Sequence, residues 1–378
     1  MSAHPLRSTR ALQVAIVAPT FGILGGHAVL AGRLVDAWRN DSDVDAWLVP
    51  INPPPVRPLR FALRIKYVRT VVTQLTYWPL LLREIPKADV VHVFSASYSA
   101  FVLSALPAIV VARAFNRPVV LNYHSGEAAD HLRRSRLARA VLRSVERIVV
   151  PSAFLADVFR EHGLDAAIVP NVVDGARFAY REREPLRPRI LSTRNLTYPY
   201  NVACTLRAFR LIQDARPDAT LTIVGAGGEE RPLRQLAADL GLTGVEFAGR
   251  VDPDSIHRCY AEHDIYLQSP DIDNMPLSVL EAFASGLPLV STNAGGVPTI
   301  LQDGTHGLLA PVGDHQALAD CVLRLLADPD RARQLASAAH LTCQRYQWPV
   351  VRMQWLDAYR GAMLARTSQA PAVNSRTS

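Results

Sequence analysis

The sequence predicts an α/β protein built from two doubly wound domains in tandem. Three observations lead there. A chain of 378 residues is longer than one hydrophobic core usually serves. Hydrophobic residues make up 49% of it, enough to fill two cores and too many for a disordered chain. Short β-branched runs recur along it, most of them separated by longer segments of helical periodicity, the pattern of parallel strands covered by helices.

The first series of predicted strands is Leu12–Ala18, Ala46–Val49, Val90–Phe94, Val119–Tyr123 and Arg147–Val150. After Asn171 to Asp174 the composition changes to Tyr180-Arg-Glu-Arg-Glu-Pro-Leu-Arg-Pro188, charged, proline-bearing and poor in apolar residues, which reads as a linker. A second series follows: Arg189–Ser192, Thr220–Val224, Val245–Ala248, Asp264–Gln268, Leu287–Ser291 and Gly307–Ala310. The expected organisation is an N-terminal domain over 1–180 and a C-terminal domain over 186–348. A helix over 349–364 carries Val351, Trp355, Leu356 and Tyr359 at helical spacing and is expected to pack back on the N-terminal domain. The polar tail 365–378 is expected to be disordered. Doubly wound sheets bind ligands at the carboxyl ends of their strands, so two in tandem predict a site in the cleft between the domains.

Composition narrows the function. The polar Met1–Arg10 segment and the strand-like Leu12–Val17 lack a signal-peptide pattern, so a cytoplasmic protein is expected. The longest uncharged stretch, Ser95 to Ala112, contains serines and Pro107 and leads into a strand, which argues against a membrane span. Cys204, Cys259, Cys321 and Cys343 are scattered, without metal-ligand spacing, and read as reduced, mostly buried thiols. The net charge of +7 suits an anionic partner: a phosphate ligand, an anionic lipid surface or nucleic acid. Arg133, Arg134, Arg136, Arg139, Arg143 and Arg147 cluster, and at helical spacing the last four form a stripe beside Leu137, Val141, Val145 and Ile148. This basic amphipathic helix is either a solvated face over the core or a peripheral contact with anionic membrane. No nucleic-acid-binding module is recognisable, and none is expected as a partner.

The most informative stretch is Ser269-Pro-Asp-Ile-Asp-Asn-Met-Pro-Leu-Ser-Val-Leu-Glu-Ala-Phe-Ala-Ser-Gly286. Asp273 or Asn274 suits a helix N-cap, Pro276 the first turn and Gly286 the C-terminal stop. Glu281, among Val279, Leu280, Ala282, Phe283 and Ala284, is drawn inward, and a buried carboxylate needs a partner. Free amides at the helix start favour a phosphate, and Glu281 can accept from ribose hydroxyls; the alternative is a structural ion pair between Glu281 and an arginine. Asp271 and Asp273 also spell DxD, a pattern able to hold a divalent ion, but the helix start can itself hold phosphate, so no essential metal or cofactor is expected. Leu221-Thr-Ile-Val-Gly-Ala-Gly-Gly228 is a strand with a glycine turn that lacks the full GxGxxG spacing of a dinucleotide site.

Asp273, Glu281 and the following Ala-Phe-Ala-Ser-Gly-Leu-Pro-Leu-Val resemble the signature of the retaining glycosyltransferases of family 4, which have the GT-B fold of two Rossmann-like domains facing across a cleft. The family usually has glutamate at both acidic positions, so Asp273 is a shortened variant. Further matches follow in order. Gly22-Ile-Leu-Gly-Gly26 is similar to the family's glycine loop, His124-Ser-Gly126 to its histidine near the reacting sugar, and Thr193-Arg-Asn-Leu196 to the loop whose arginine contacts the donor diphosphate. Val150-Pro-Ser152 and Val169-Pro-Asn-Val-Val-Asp174 match landmarks read as structural turns.

The resemblance implies catalytic roles for His124, Asp273 and Glu281, and diphosphate binding by Arg194 with Asn274, Met275, Pro276 and Leu277. It further implies a nucleotide pocket shaped by Gly225, Arg250 and Glu281, and close backbone approach at Gly25 and Gly26. The implied reaction moves a sugar from a nucleotide-diphosphate donor to a glycan or lipid-linked acceptor with retention of configuration, as in cell-surface polysaccharide or glycolipid synthesis at the inner face of the membrane. One departure stands out: the lysine the family places shortly after the arginine is absent from Tyr198-Pro-Tyr-Asn201, and Arg250 is a candidate substitute. That gap keeps open a noncatalytic scaffold or partner subunit, and more remotely a sugar-nucleotide isomerase.

Overall fold

The computed structural model of the chain describes residues 10–20, 26–53 and 66–369. They divide into two compact units. The first comprises the chain up to Val150, Ala156–Val169 and the chain from Arg352; the second comprises Pro151–Leu155 and Pro170–Val351.

In the first unit, β1 (Leu12–Ala18), β2 (Val44–Pro50), β3 (Val90–Ser95), β4 (Val119–Tyr123), β5 (Arg147–Val150) and β6 (Ala167–Ile168) form one parallel sheet in the order β2-β1-β3-β4-β5-β6. β6, only two residues long, carries no pattern that a sequence reading could find. The central strands are covered on both faces and therefore read as unbroken apolar runs: Val14 to Ala18 and all of β3 are buried. Helices α1 (Gly26–Trp38) and α2 (Lys66–Glu84) follow β1 and β2. Gly25 and the residues before it in the glycine loop lie outside the described residues, while Gly26 opens α1.

The helix Trp348–Gln369 is pinned to this unit through ion pairs at two points. Arg352 binds Asp41 (Nη2 to Oδ1, 2.8 Å) and Asp43, and Arg366 binds Glu146 (3.0 Å), whose other oxygen accepts the Val119 amide at 2.8 Å. Between them Trp355, Leu356 and Tyr359 are buried. The helix continues through 365–369, which were expected to be disordered; Arg366 is held by Glu146 and Asn116, and Thr367 and Ser368 turn their hydroxyls back to carbonyls of the preceding turn.

The basic helix expected over Arg133 to Arg147 is not continuous. Ser135 breaks it, capping Arg136–Leu142 by accepting the Ala138 amide at 3.0 Å, and Arg147 already belongs to β5. Its cations are engaged locally: Arg133 and Arg134 on Asp130, Arg139 on the carbonyls of Leu132 and Arg133.

In the second unit, β7 (Arg189–Thr193), β8 (Thr220–Val224), β9 (Val245–Gly249), β10 (Ile265–Leu267), β11 (Leu289–Thr292) and β12 (Leu308–Ala310) make a second parallel sheet in the order β12-β11-β10-β7-β8-β9. The stretch Tyr180 to Pro188, which reads as a linker, is bonded into this unit rather than being a bare connector. Arg183 is buried and donates to the carbonyls of Tyr260 (2.9 Å), Ser285 and Arg181, and burial lowers its pKa to about 10. Arg181 and Arg189 both reach the buried Asp264 carboxylate, at 3.1 and 2.6 Å. The charges that suggested solvent instead satisfy the carbonyls at the ends of Ile256–Glu262 and Leu277–Ser285.

Gly286 closes the latter helix in the left-handed region at φ 70°, and a Cβ there would lie 2.6 Å from the Tyr180 ring and 3.0 Å from the Arg181 carbonyl. Gly304 has nearly the same φ, 66°, with open space around it. Gly304→Ala is therefore expected to cost about 1 kcal/mol and Gly286→Ala about 2–3 kcal/mol in urea unfolding. Equal costs would show that the Tyr180–Arg181 contact does not constrain the helix end.

Candidate active site

Strand order in the second sheet reverses between β7 and β10, which are neighbours although far apart in sequence. The segments leaving their carboxyl ends diverge there, opening the crevice in which doubly wound sheets bind ligands. Arg194 is the first residue after β7, and Asp273 lies in the segment after β10. They meet: Arg194 donates to Asp273 Oδ2, and its guanidinium lies 4.8 Å over the Tyr200 ring. The Arg194 side chain is only 9% exposed. Burial is the largest influence and works against its charge, but the Asp273 carboxylate and the Tyr266 and Tyr200 hydroxyls together leave its pKa raised, so the cation is permanent. The stretch that lacks the expected lysine thus supplies an aromatic face to the arginine.

Backbone contacts hold this crevice together. The Arg194 amide donates to the Val224 carbonyl (2.9 Å), the Leu196 amide to Ala226 (3.1 Å) and the Asp271 amide to Pro199 (2.9 Å). Gly225, at φ 148°, has no room for a side chain, because a Cβ would fall 1.9 Å from the Arg194 carbonyl; at Gly227 it would fall 2.0 Å from that of Leu196. Gly225 therefore acts first as the seat of the Arg194 loop. Gly295 and Gly296 do the same for the acidic loop: a Cβ would meet the carbonyls of Asp273 at 2.3 Å and Asn274 at 2.0 Å. Sequence reasoning missed this pair, although a Gly-Gly step directly after a strand is the signal for such an approach. Arg250 is exposed and follows the edge strand β9, with β8 between that strand and β7.

The helix after this loop starts later than its sequence suggests. Its N-cap is Pro276 itself, with extended ψ of 125° and no side-chain cap, so neither Asp273 nor Asn274 caps it. Asp273 Oδ1 instead accepts the Asn274 amide at 2.8 Å. The residue before a proline is driven out of the helical region, which separates the acidic loop from the first turn. Among the expected phosphate-binding positions, Pro276 has no N–H and Asn274 has given its own to Asp273. Met275 is clamped by Asn171, whose side-chain amide donates to the Met275 carbonyl at 2.7 Å. The amides of Leu277 and Ser278 open the helix, and helix geometry leaves them without intrahelical acceptors.

Glu281 is buried, as expected, and its Oε2 accepts from the Tyr260 hydroxyl at 2.9 Å. Tyr260 contacts the Thr193 hydroxyl at 2.7 Å, and Thr193 contacts Tyr266 at 3.2 Å. Burial, reinforced by the Glu281 carboxylate, raises the Tyr260 pKa well above its ordinary value, so the phenol remains a donor. A relay of hydroxyls thus ties Glu281 to the residue immediately before Arg194. Tyr260 could not be read from sequence because it resembles any core aromatic. Asp271, the other acid of the DxD pattern, accepts from Asn201 Nδ2 at 2.7 Å. Both carboxylates of that pattern are therefore engaged by protein donors.

His124 belongs to the first unit, just beyond β4. It closes a row of rings: His27 of α1 lies 5.4 Å from it, Phe94 stacks on it at 5.5 Å, His92 stacks on Phe94 at 5.0 Å and Trp355 lies 4.5 Å beyond. Burial, with His27 and His92 nearby, lowers the His124 pKa well below the ordinary imidazole value. Burial likewise takes His27 to about 4 and His92 to about 3. All three rings are neutral at pH 7. His27 is a neighbour of His124 that no sequence pattern singles out.

The profile described as "Glycosyltransferase Family 4" matches residues 11–177, and that described as "Glycosyl transferases group 1" matches 178–342. The chain belongs to the group 1, family 4 glycosyltransferases. It is 26% identical over 314 residues to a sulfoquinovosyl transferase of Arabidopsis thaliana, covering 75% of this chain and 59% of that longer protein. It is 25% identical over 372 residues to a phosphatidyl-myo-inositol mannosyltransferase of Mycolicibacterium smegmatis, covering 92% and 93% of the two chains. Among solved structures, the glycosyltransferase resembles Anabaena Alr3699/HepE in complex with UDP-glucose, with TM-score 0.73 at 17% identity over 92% of this chain and 98% of that one. Sucrose-phosphate synthase of Thermosynechococcus elongatus gives TM-score 0.75 at 19% identity over 94% and 100%. These likenesses identify the architecture as GT-B.

His92 is wholly buried and its pKa is depressed, so the unfolded chain binds its proton first as pH falls. Its contribution is intact above pH 6.5 and is lost progressively between 6.5 and about 3. At pH 5 the loss is about 2 kcal/mol. His92→Gln is expected to be less stable at pH 7 but to lose that much less between pH 7 and pH 5 in urea titrations; an unchanged pH slope would contradict the neutral assignment.

Proposed function

We propose that this glycosyltransferase transfers a sugar from a nucleotide-diphosphate donor, with retention of anomeric configuration, to a glycan or lipid-linked acceptor. The observation that carries the donor reading is the permanent, nearly buried cation of Arg194 at the switch point of the second sheet, beside the start of the helix Leu277–Ser285. A planar multi-donor group suits diphosphate oxygens, and the first amides of the helix Leu277–Ser285 add its positive end. The relatives agree in chemistry: the Anabaena structure carries UDP-glucose, and the mycobacterial enzyme is named for a phosphatidylinositol acceptor.

In this reading Arg194 exchanges its bond to Asp273 for the donor phosphates, and Asp273 is released toward the sugar. Glu281, with one oxygen held by Tyr260, accepts from the ribose hydroxyls. As the glycosidic bond breaks, negative charge grows on the leaving phosphate oxygen, where Arg194 stabilises it. That oxygen takes the acceptor's proton on the same face of the sugar while the acceptor oxygen bonds to the anomeric carbon, so no protein nucleophile is needed. His124, neutral because it is buried, faces the sugar in this reading without bringing a charge to it. No step is assigned to a metal, and cell-surface polysaccharide or glycolipid synthesis is the setting that fits such an acceptor.

Nucleoside diphosphates are expected to raise the melting temperature more than the matching monophosphates. Arg194→Gln should weaken diphosphate binding by about 10- to 100-fold, the loss of one or two charged hydrogen bonds, while changing monophosphate binding much less. Equal loss for both would remove Arg194 from the diphosphate, and no response to any nucleotide would overturn the donor reading. Proton NMR of the first-formed product should show the donor's anomeric configuration; the opposite anomer would contradict retention.

A further inference from the structure

Helix α2 has an apolar face on the core and a second one on the surface. Val72, Tyr77 and Leu81 are buried, with the Tyr77 hydroxyl donating to the Ser104 carbonyl at 2.8 Å. On the other side Val68, Val71, Leu75, Trp78 and Leu82 are 40%, 59%, 66%, 38% and 51% exposed. Their alternating spacing of three and four residues keeps them in one line along the helix. The exposed Val102 and Leu103 extend the patch sideways, since Gln74 Nε2 donates to the Leu103 carbonyl at 2.9 Å. A contiguous apolar surface of this kind on a folded protein marks an interaction site.

Charge selects the partner. From Ala46 to Arg83 the sequence has no Asp or Glu. Arg69 is exposed near one end of the stripe, and Arg83 and Lys87 are exposed at the other. The first acid, Glu84, is already bonded to Arg83 and Lys87, at 2.7 and 2.8 Å. Pairing with a second copy about a twofold axis would bring basic ends together or leave them facing one another unneutralised. A phospholipid surface accepts both features at once: the stripe and Trp78 enter the acyl boundary, and the long cationic side chains reach the headgroups.

We propose that α2 lies in the plane of an anionic phospholipid surface, anchored by Val71, Leu75, Trp78 and Leu82 and steered by the basic residues at its ends. This surface is separate from the Arg133–Arg147 segment. The binding does not depend on the donor reading and survives its failure.

Flotation of the full chain with phosphatidylcholine vesicles, with and without phosphatidylglycerol, tests it. Binding is expected only with the anionic lipid, with a blue-shifted tryptophan emission that Trp78→Phe diminishes. Val71→Asp/Leu75→Asp should bind at least tenfold more weakly with unchanged thermal unfolding, and the milder Leu75→Ser should weaken binding in the same direction. Three results would overturn the proposal: no binding of the wild-type chain to anionic vesicles, undiminished binding of both variants, or a wild-type dimer in sedimentation that the double variant converts to monomer.

Discussion

The second unit is organised around one buried cation. Arg194 stands at the end of β7, where the sheet reverses direction, and a guanidinium nearly removed from water requires both a carboxylate and a rigid frame. Asp273 supplies the first, and the stitched backbones of the loops after β7, β8, β10 and β11 supply the second. Four glycines, at 225, 227, 295 and 296, exist at this place because neighbouring carbonyls occupy the volume of a Cβ. The loops are therefore not independent: any displacement of one moves the carbonyl on which its neighbour is seated.

The same frame explains why the acidic loop and the helix after it divide their work. Pro276 ends the loop and begins the helix, leaving Asp273 to face the arginine while Glu281, five residues on, faces Tyr260. The relay from Glu281 through Tyr260 to Thr193 then returns to the residue beside Arg194. Two carboxylates that look equivalent in the sequence thereby face different donors, Asp273 the Arg194 guanidinium and Glu281 the Tyr260 hydroxyl.

Much of this was legible from residues alone. Strands such as Leu12–Ala18 and Val119–Tyr123 could be bounded because two-sided burial writes itself as an apolar run between turns, and Gly286 marked its helix end through its need for positive φ. Arg194, Asp273 and Glu281 stand out as candidates through the family resemblance, and the structure brings the first two into contact. What failed did so for specific reasons. The charged stretch Tyr180 to Pro188 mimics a solvated linker because sequence does not reveal that arginines are satisfying helix-end carbonyls. The run of arginines from Arg133 suggested one helix because Ser135 as an internal cap and Ser135 as a helical residue look alike. Tyr260, the row of rings through His27, His124 and Phe94, and the outer stripe of α2 depend on which face each element buries, and that is set by tertiary packing.

The account rests on a diphosphate taking the place of Asp273 on Arg194. A crystal structure of the chain with the nucleoside diphosphate that stabilises it most tests this directly. The account predicts the terminal phosphate within hydrogen-bonding distance of the Arg194 guanidinium and of the amides at Leu277 and Ser278, with the Asp273 bond broken or shared. A diphosphate bound elsewhere, with Arg194 still closed on Asp273 and Tyr200, would contradict it.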